Sequence, residues 1–485
     1  MHIQKAKEQI RNAVLAYNSK DAHGRYRIPI PKQRPVFLIG APGIGKTAIV
    51  EQIAEELGIG FVSYAMTHHT RQSALGLPYI VNKRYGEKEF SVSEYTMSEI
   101  LASVYEEMKR TGKTEGILFL DEINCVSETL APGILQFLQY KTFGRHRVPD
   151  GWIIVTAGNP AEYNENAREF DIAMLDRLKK ITVEPNLEVW RSYALENHIH
   201  PVILTYLQLR PQHFYSVQST LDGKSFVTAR SWDDLSQMLT IYEENSLEID
   251  ADLIGQYIQD EEIVRSFRNY YDLYRKYHAE YPIAAILDGT VTEDVITRAR
   301  EASFDERLSL INMVLSALDD RMTVQNRNES VLRTIIPVLK NSGDTPGSVI
   351  TQRIIGLASA HTETELAEKE LYETLAELVR RDGDTREAVF PFLKQKAQEA
   401  EAEAAVLQNT LAHVFDFFEK SFGNGQEILI LVSELTVRRE PARFIYAHGC
   451  EAYTRYQSQL LFRDTEKQLG KKIDALGLPD TDPNA

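Results

Sequence analysis

The chain reads as an α/β domain built on a parallel sheet, followed by regions that are helical throughout. Three observations predict this. Residues 1 to about 185 alternate short apolar, β-branched runs with segments of helical period, the pattern of parallel strands joined by helices. The stretch "IGAPGIGKTAIV", residues 39–50, sets a loop dense in Gly and Pro between one such run and one such helix. Beyond about residue 186 the strand signal fades, and acidic, helix-favouring sequence runs from about 360 onward.

Taken in order, "MHIQKAKEQIRNAVLAY" places Ile3, Ala6, Ile10, Ala13, Val14 and Tyr17 on one helical face. Charges at Lys5, Lys7, Glu8 and Arg11, with no small-residue cleavage site after them, make it a helix packing on the body rather than a signal peptide. Strands are expected at 36–39, 61–65, 117–120, 152–157 and 181–183. After the first strand, Ile49/Val50, Ile53/Ala54 and Leu57 recur at helical spacing, and Gly58 ends the helix. Segment 76–96, "GLPYIVNKRYGEKEFSVSEYT", reads as a β-hairpin in which Tyr79–Val81 and Phe90–Val92 flank a charged turn at Asn82–Glu89. Thr96 and Glu99 are expected to form a capping box for the helix that follows.

Further on, Thr228 or Ser231 caps a helix with Asp233 and Asp234 in its first turn. The aromatics of "FRNYYDLYRKYHAEYP", 267–282, recur at helical spacing and are read as packing residues. A long helix over 394–420 turns amphipathic through Leu407, Leu411, Val414 and Phe418, with turn chemistry at 380–387 and 422–427. The tail "LPDTDPNA" is expected to be disordered.

With 485 residues and 43% hydrophobic content, the chain is large enough for two to four packed domains. No apolar run approaches a membrane span. Cys125 and Cys450 are the two cysteines, which excludes a disulfide framework and suits a reducing cytoplasm. The net charge of −16 works against sequence-independent binding to nucleic acid. His68-His69 and His198-x-His200 each lack a third ligand at metal spacing, so no metal is assigned to them. Cys125 is read as packing.

Chemistry concentrates at the strand ends. Gly40, Gly43 and Gly45 let the backbone curl so that N–H groups point inward at a helix N-terminus, where an anion is favoured. Lys46 can then reach nucleotide phosphates, and the Thr47 hydroxyl can ligate Mg²⁺. "GILFLDEIN", 116–124, is a buried strand with two carboxylates at its C-terminal end. Asp121 suits Mg²⁺, directly or through water, and Glu122 suits polarising an attacking water; a helix N-cap is the competing reading. "WIIVTAGNP", 152–160, ends in Asn159, whose amide could hold that water or simply open an Asn-Pro turn. In "FDIAMLDRLKKITV", 170–183, Arg177 sits just ahead of the last strand. It could stabilise transition-state charge in a neighbouring subunit's site, or form a plain surface salt bridge. Arg168 is a second candidate. In "FVTARSWDDLSQML", 226–239, Arg230 occupies a helix start, where the dipole disfavours a cation unless a phosphate sits there.

Together, "GAPGIGKT", "FLDEIN", "GRHRVPDGWIIVTAGNP", "MLDRL" and "TARSW" resemble the AAA+ ATPases, and specifically the MoxR family, over about residues 25–245. By that resemblance Gly40, Ala41, Pro42, Gly43, Ile44, Gly45, Lys46 and Thr47, with Ala48 after them, are the Walker A motif. Asp121 and Glu122 are Walker B, and Asn159 is sensor 1. Arg177, with Arg168 as the second candidate, matches the arginine finger, and Arg230 matches sensor 2. The resemblance implies an AAA+ P-loop NTPase core of five parallel strands with a helix-2 insert hairpin at 76–96. An all-α lid and a helical C-terminal extension would follow, dividing the chain at 1–185, 186–340 and 341–485. It further implies ATP and Mg²⁺ as ligands, a homo-oligomeric ring expected to be a hexamer, and chaperone-like remodelling of a protein partner. Such ATPases usually work with a von Willebrand factor A domain protein; no D-x-S-x-S motif occurs in this chain, so that partner would be a separate polypeptide. Two other readings stand beside it. One is a nucleotide-controlled scaffold with little turnover; the other, a nucleic-acid motor, is weakened by the charge.

Overall fold

In the computed structural model the described residues are 1–68, 74, 76–143, 145–164, 167–220, 223–340 and 385–458. His69, residues 341–384 with most of the turn expected at 380–387, and residues 459–485 with the expected disordered tail lie outside them. The chain forms two compact units, Met1–Ala194 with Arg210–Ser266, and Leu195–Leu209 with Phe267–Ala485.

The first unit follows the order α1 (Ile3–Asn18), β1 (Val36–Gly40), α2 (Lys46–Glu56), β2 (Gly60–Ala65), β3 (Pro78–Tyr85), β4 (Lys88–Tyr95) and α3 (Glu99–Thr111). Then come β5 (Gly116–Asp121), α4 (Ala131–Tyr140), β6 (Thr142–Phe143), β7 (His146–Arg147), β8 (Trp152–Gly158), β9 (Lys179–Val183), β10 (Ser216–Thr220) and β11 (Gly223–Val227). A five-stranded sheet runs β2-β5-β8-β1-β9, every pairing parallel, and contains all five expected strands. β5 is buried from Gly116 to Leu120 and β8 along its whole length, as apolar strands covered on both faces must be.

Alternation divides each strand between two cores. On one face Leu38, Phe119, Ile153 and Val155 pack with Ile10 and Val14 of α1 and Val50 and Ile53 of α2. On the other, Phe37, Leu118, Leu120 and Ile154 pack with Leu101 and Val104 of α3 and Ile134 and Phe137 of α4. Truncating any of these fully buried side chains to Ala would cost roughly 2–5 kcal/mol. The register pairs Ile39 with Gly158, Leu120 with Thr156 and Ala65 with Asp121. The C-terminal ends of β1, β5 and β8 therefore share one edge of the sheet, and that edge carries the site.

Four local expectations change. The charged stretch Asn82–Glu89 is mostly strand, because Tyr85 pairs with Lys88 across Gly86 and Glu87, and Gly86 takes φ +64°. A two-residue turn with a left-handed glycine lets pairing continue almost to the tip. The capping box at Thr96 and Glu99 does not form: Ser98 is the N-cap, accepting from the Leu101 amide, and Thr96 Oγ1 accepts from Leu77 N instead. Thr228 caps the helix Ala229–Glu244 with Ser231 completing a capping box, which moves Asp233 and Asp234 beyond the first turn. Asp233 there accepts from the Tyr193 hydroxyl at 2.9 Å. Finally, β10 and β11 form an antiparallel pair in a stretch read as helical. "STLDGKS" held the signal, an Asp-Gly between alternating runs.

The second unit is helical among its described residues. Phe304–Lys340 packs against Pro201–Leu209, Thr385–Phe422, Gln426–Val437 and Arg439–His448. Phe267, Tyr270, Tyr271, Tyr274, Tyr277 and Tyr281 are buried, as are Leu407, Leu411, Val414 and Phe418. The turn at 422–427 separates the helices ending at Phe422 and beginning at Gln426.

Candidate functional site

β1 ends at Gly40, where a Cβ would fall 2.5 Å from the Val183 carbonyl of β9, so this position excludes a side chain. The loop beyond it turns on Gly43 (φ +70°) and Gly45 (φ +87°), conformations that glycine adopts freely. Gly45 is the N-cap of α2 and supplies no capping side chain. First-turn N–H groups left without a side-chain cap are a ready anion site.

Lys46 opens α2 and is 8% exposed. Its Nζ donates to the carbonyls of Gly40 and Ala41 and to Asn159 Oδ1, each at 2.8 Å. Burial pushes the ammonium down to about 8; Asp121 and Glu122 oppose the fall, and Arg230 adds to it. Thr47 Oγ1 donates to Asp121 Oδ2 at 2.9 Å. These two hard oxygens on one small site fit Mg²⁺, which takes a hydroxyl and one or two carboxylates and keeps waters for the rest.

Glu122 follows at the strand end in a left-handed conformation, φ +54° and ψ +34°. For a residue with a Cβ this costs roughly 1–2 kcal/mol. The turn is held by Glu122 N donating to Asp121 Oδ1 at 2.8 Å and Cys125 N donating to Glu122 O at 2.9 Å. The carboxylate accepts from Thr67 Oγ1 at 2.7 Å, just past the end of β2. Backbone strain of this kind clusters at functional sites in proteins generally.

The helix Ala229–Glu244 starts on the loop itself. A Cβ on Gly43 would lie 2.6 Å from Thr228 Oγ1, and Arg230 N donates to the Gly43 carbonyl at 3.2 Å. The exposed Arg230 side chain is near enough to lower the affinity of Lys46 for its proton. Tyr215 OH donates to the Pro42 carbonyl at 3.0 Å, and burial pushes its phenol up.

Lys46, Thr47, Asp121, Glu122, Asn159 and Arg230 thus gather around the loop Gly40–Gly45. Arg168 and Arg177 bond elsewhere. Both are exposed; Arg168 donates to Glu128 Oε1 at 2.8 Å and Arg177 to Gln139 Oε1 at 3.0 Å. Reading the sequence assigned no role to Thr67, Tyr215 or Asn124. Asn124 lay inside the quoted "FLDEIN"; Thr67 and Tyr215 carried no local signal, because their partners are distant in the chain.

Residues 35–178 match the family model of the AAA domain, dynein-related subfamily. No curated protein matches the chain. The matched span opens one residue before β1 and closes one before β9, and it holds every site residue named above except Arg230 and Tyr215. The chain therefore carries the α/β core of an AAA+ protein, a nucleotide-binding domain, with a helical C-terminal region beyond it. Among the described residues no helix is long and apolar enough to cross a membrane.

Proposed function

We propose that this AAA+ chain is a MoxR-like ATPase that hydrolyses ATP to remodel or mature a protein partner. One observation carries the reading. Lys46 Nζ on Asn159 Oδ1 and Thr47 Oγ1 on Asp121 Oδ2 draw an ammonium, two hard oxygens and the Glu122 carboxylate to one sheet edge. Bound Mg²⁺–ATP supplies the γ-phosphoryl group and the metal charge that neutralises it. Lys46 exchanges the loop carbonyls for phosphate oxygens, and Thr47 with Asp121 holds the metal. Glu122 orients the attacking water and takes its proton, while Asn159 holds that water in line. Arg230 senses the γ-phosphate and passes its presence to the helix Ala229–Glu244, part of the 186–340 lid. Arg177, with Arg168 as second candidate, serves a neighbouring subunit in a ring, expected to be a hexamer.

The test is steady-state ATP hydrolysis by wild type and Glu122→Gln, with DNA, RNA and co-purifying proteins added in turn. Wild type should turn over without nucleic acid, and Glu122→Gln should bind ATP yet lose about 10²–10⁴-fold in rate. Near-normal turnover by Glu122→Gln would remove the role given to that carboxylate. A wild type that binds ATP but stays silent under every condition would favour the scaffold reading. The family resemblance supports a separately encoded von Willebrand factor A domain partner, and the two cysteines suit a cytoplasmic setting; capture with the ATP-trapped Glu122→Gln form identifies what binds.

A further inference from the structure

A three-residue turn, Ile123–Cys125, follows Glu122 directly. Its middle residue, Asn124, is 4% exposed. The Nδ2 of Asn124 donates to the main-chain carbonyl of Asn159 at 2.8 Å, and the Asn124 carbonyl accepts from Arg168 N at 2.9 Å. The next residue, Cys125, accepts from Asn164 Nδ2 at its sulfur, 3.2 Å away. Asn159, Asn164 and Arg168 are thus each fastened to this turn.

The seat of the Asn124 carboxamide is equally specific. A Cβ on Gly158 would fall 2.2 Å from Asn124 Oδ1 and 2.8 Å from its Cγ, against 3.3 Å from Phe37 Cε2. A bare strand end is what allows the carboxamide to lie there. β8 stops at Gly158, so the ladder that fixes the backbone up to that point no longer fixes Asn159. Asn124 takes over where the ladder ends, and the side chain of the residue it holds reaches Lys46.

We propose that Asn124 is a positioning residue for the reaction: its carboxamide, seated on Gly158, sets where Asn159 stands relative to Lys46 and Glu122, and its backbone couples the Arg168 segment to the Glu122 turn. This rests on the hydrolysis reading given above. Misplacing a catalytic group by about 1 Å is enough to slow a reaction roughly 10²-fold.

The experiment compares Asn124→Ala, Gly158→Ala and the double variant. Asn124→Ala should lower kcat about 10–100-fold, while KM for ATP and the number of sites titrated stay within about threefold. Gly158→Ala should lower the melting temperature, because its methyl meets Oδ1 and Cγ. The double variant should recover that stability, since Asn124→Ala removes both atoms, yet remain as slow as Asn124→Ala. If turnover recovers along with stability, or if Asn124→Ala keeps wild-type kcat, Asn124 is a packing residue and the proposal fails. A second readout needs no hydrolysis. Exchange of the Tyr163, Ala167 and Arg168 amides should quicken in Asn124→Ala; unchanged rates overturn the clamp even in a chain that never turns ATP over. A wild type without turnover but with faster exchange in Asn124→Ala would instead indict the hydrolysis reading and leave the clamp standing.

Discussion

Lys46 and the two arginines, Arg168 and Arg177, are cations assigned to the same chemistry, yet the protein holds them in opposite ways. Lys46 is buried, and three oxygens at 2.8 Å occupy its ammonium. Arg168 and Arg177 are exposed, and among the described residues their guanidinium groups bond Glu128 and Gln139. Burial makes a cation expensive unless it is fully bonded, so the position of Lys46 is tightly determined within one chain. Exposed pairs contribute about 0–1 kcal/mol, so either arginine can leave its partner for a stronger anion at little cost. On the proposed reading, the difference separates the half of the site that a single chain completes from the half that would serve a second copy.

The largest effect tests the free half. If Arg177 acts in trans, Arg177→Ala should lose about 10³–10⁵-fold in turnover with ATP affinity nearly intact. Mixed with Lys46→Ala subunits it should regain some activity, because a sound arginine then faces an intact nucleotide site. Arg168→Ala run in parallel decides which arginine carries the role. If neither variant slows turnover, the contrast collapses and both arginines are surface residues.

A smaller effect tests the buried half. With its pKa held at about 8, Lys46 loses its proton in mildly alkaline solution, whereas phosphate binding favours the charged form. Nucleotide affinity should therefore weaken by about tenfold from pH 7 to pH 9. Isothermal titration at the two pH values measures it, and proton uptake on binding should appear near pH 8.5. A flat profile would mean that the ammonium is better solvated than its burial indicates.

The smallest effect comes from a second buried lysine that serves as a control. Lys141 is 4% exposed and donates to Gln33 Oε1 at 3.3 Å. Burial pushes it down to about 8, with Arg147 adding to the fall and Asp150 opposing it. The unfolded chain keeps its lysine protonated to about 10.4. Between these values the unfolded state binds more protons, so this lysine's penalty is complete below about 8 and fades as pH rises. Lys141→Met removes that term. From pH 7.5 to 9.5 the stability of wild type relative to Lys141→Met should rise by on the order of 1–2 kcal/mol, read from denaturant midpoints. The pH dependence of nucleotide affinity should persist in Lys141→Met, since it belongs to Lys46. If it disappears, the two lysines are not independent.

What a linear reading of the chain settled is what short stretches dictate. Gly43 and Gly45 take the left-handed backbone their loop needs, and Lys46 and Thr47 follow because the helix starts there. The five strands were legible because apolar β-branched runs have few other uses. Asp121 and Glu122 stood out as carboxylates placed straight after such a run. The hairpin was legible as an element but not in its extent, since pairing length depends on a turn geometry that composition only suggests. Ser98 is the cap because the helix begins at Glu99 directly after it, while Thr96 Oγ1 accepts from the Leu77 amide instead. The folded chain alone settled the partners. Lys46 meets Asn159 across 113 residues, Thr67 meets Glu122 across 55, and Asn124 meets Asn159 across 35. The sheet order β2-β5-β8-β1-β9 makes these encounters, by setting β8 between the strands that end in Gly40 and Asp121. A single sequence states which segments become strands, but adjacency is chosen by the packing of all of them at once, so residues whose roles depend on neighbours across strands stay silent until the sheet has formed.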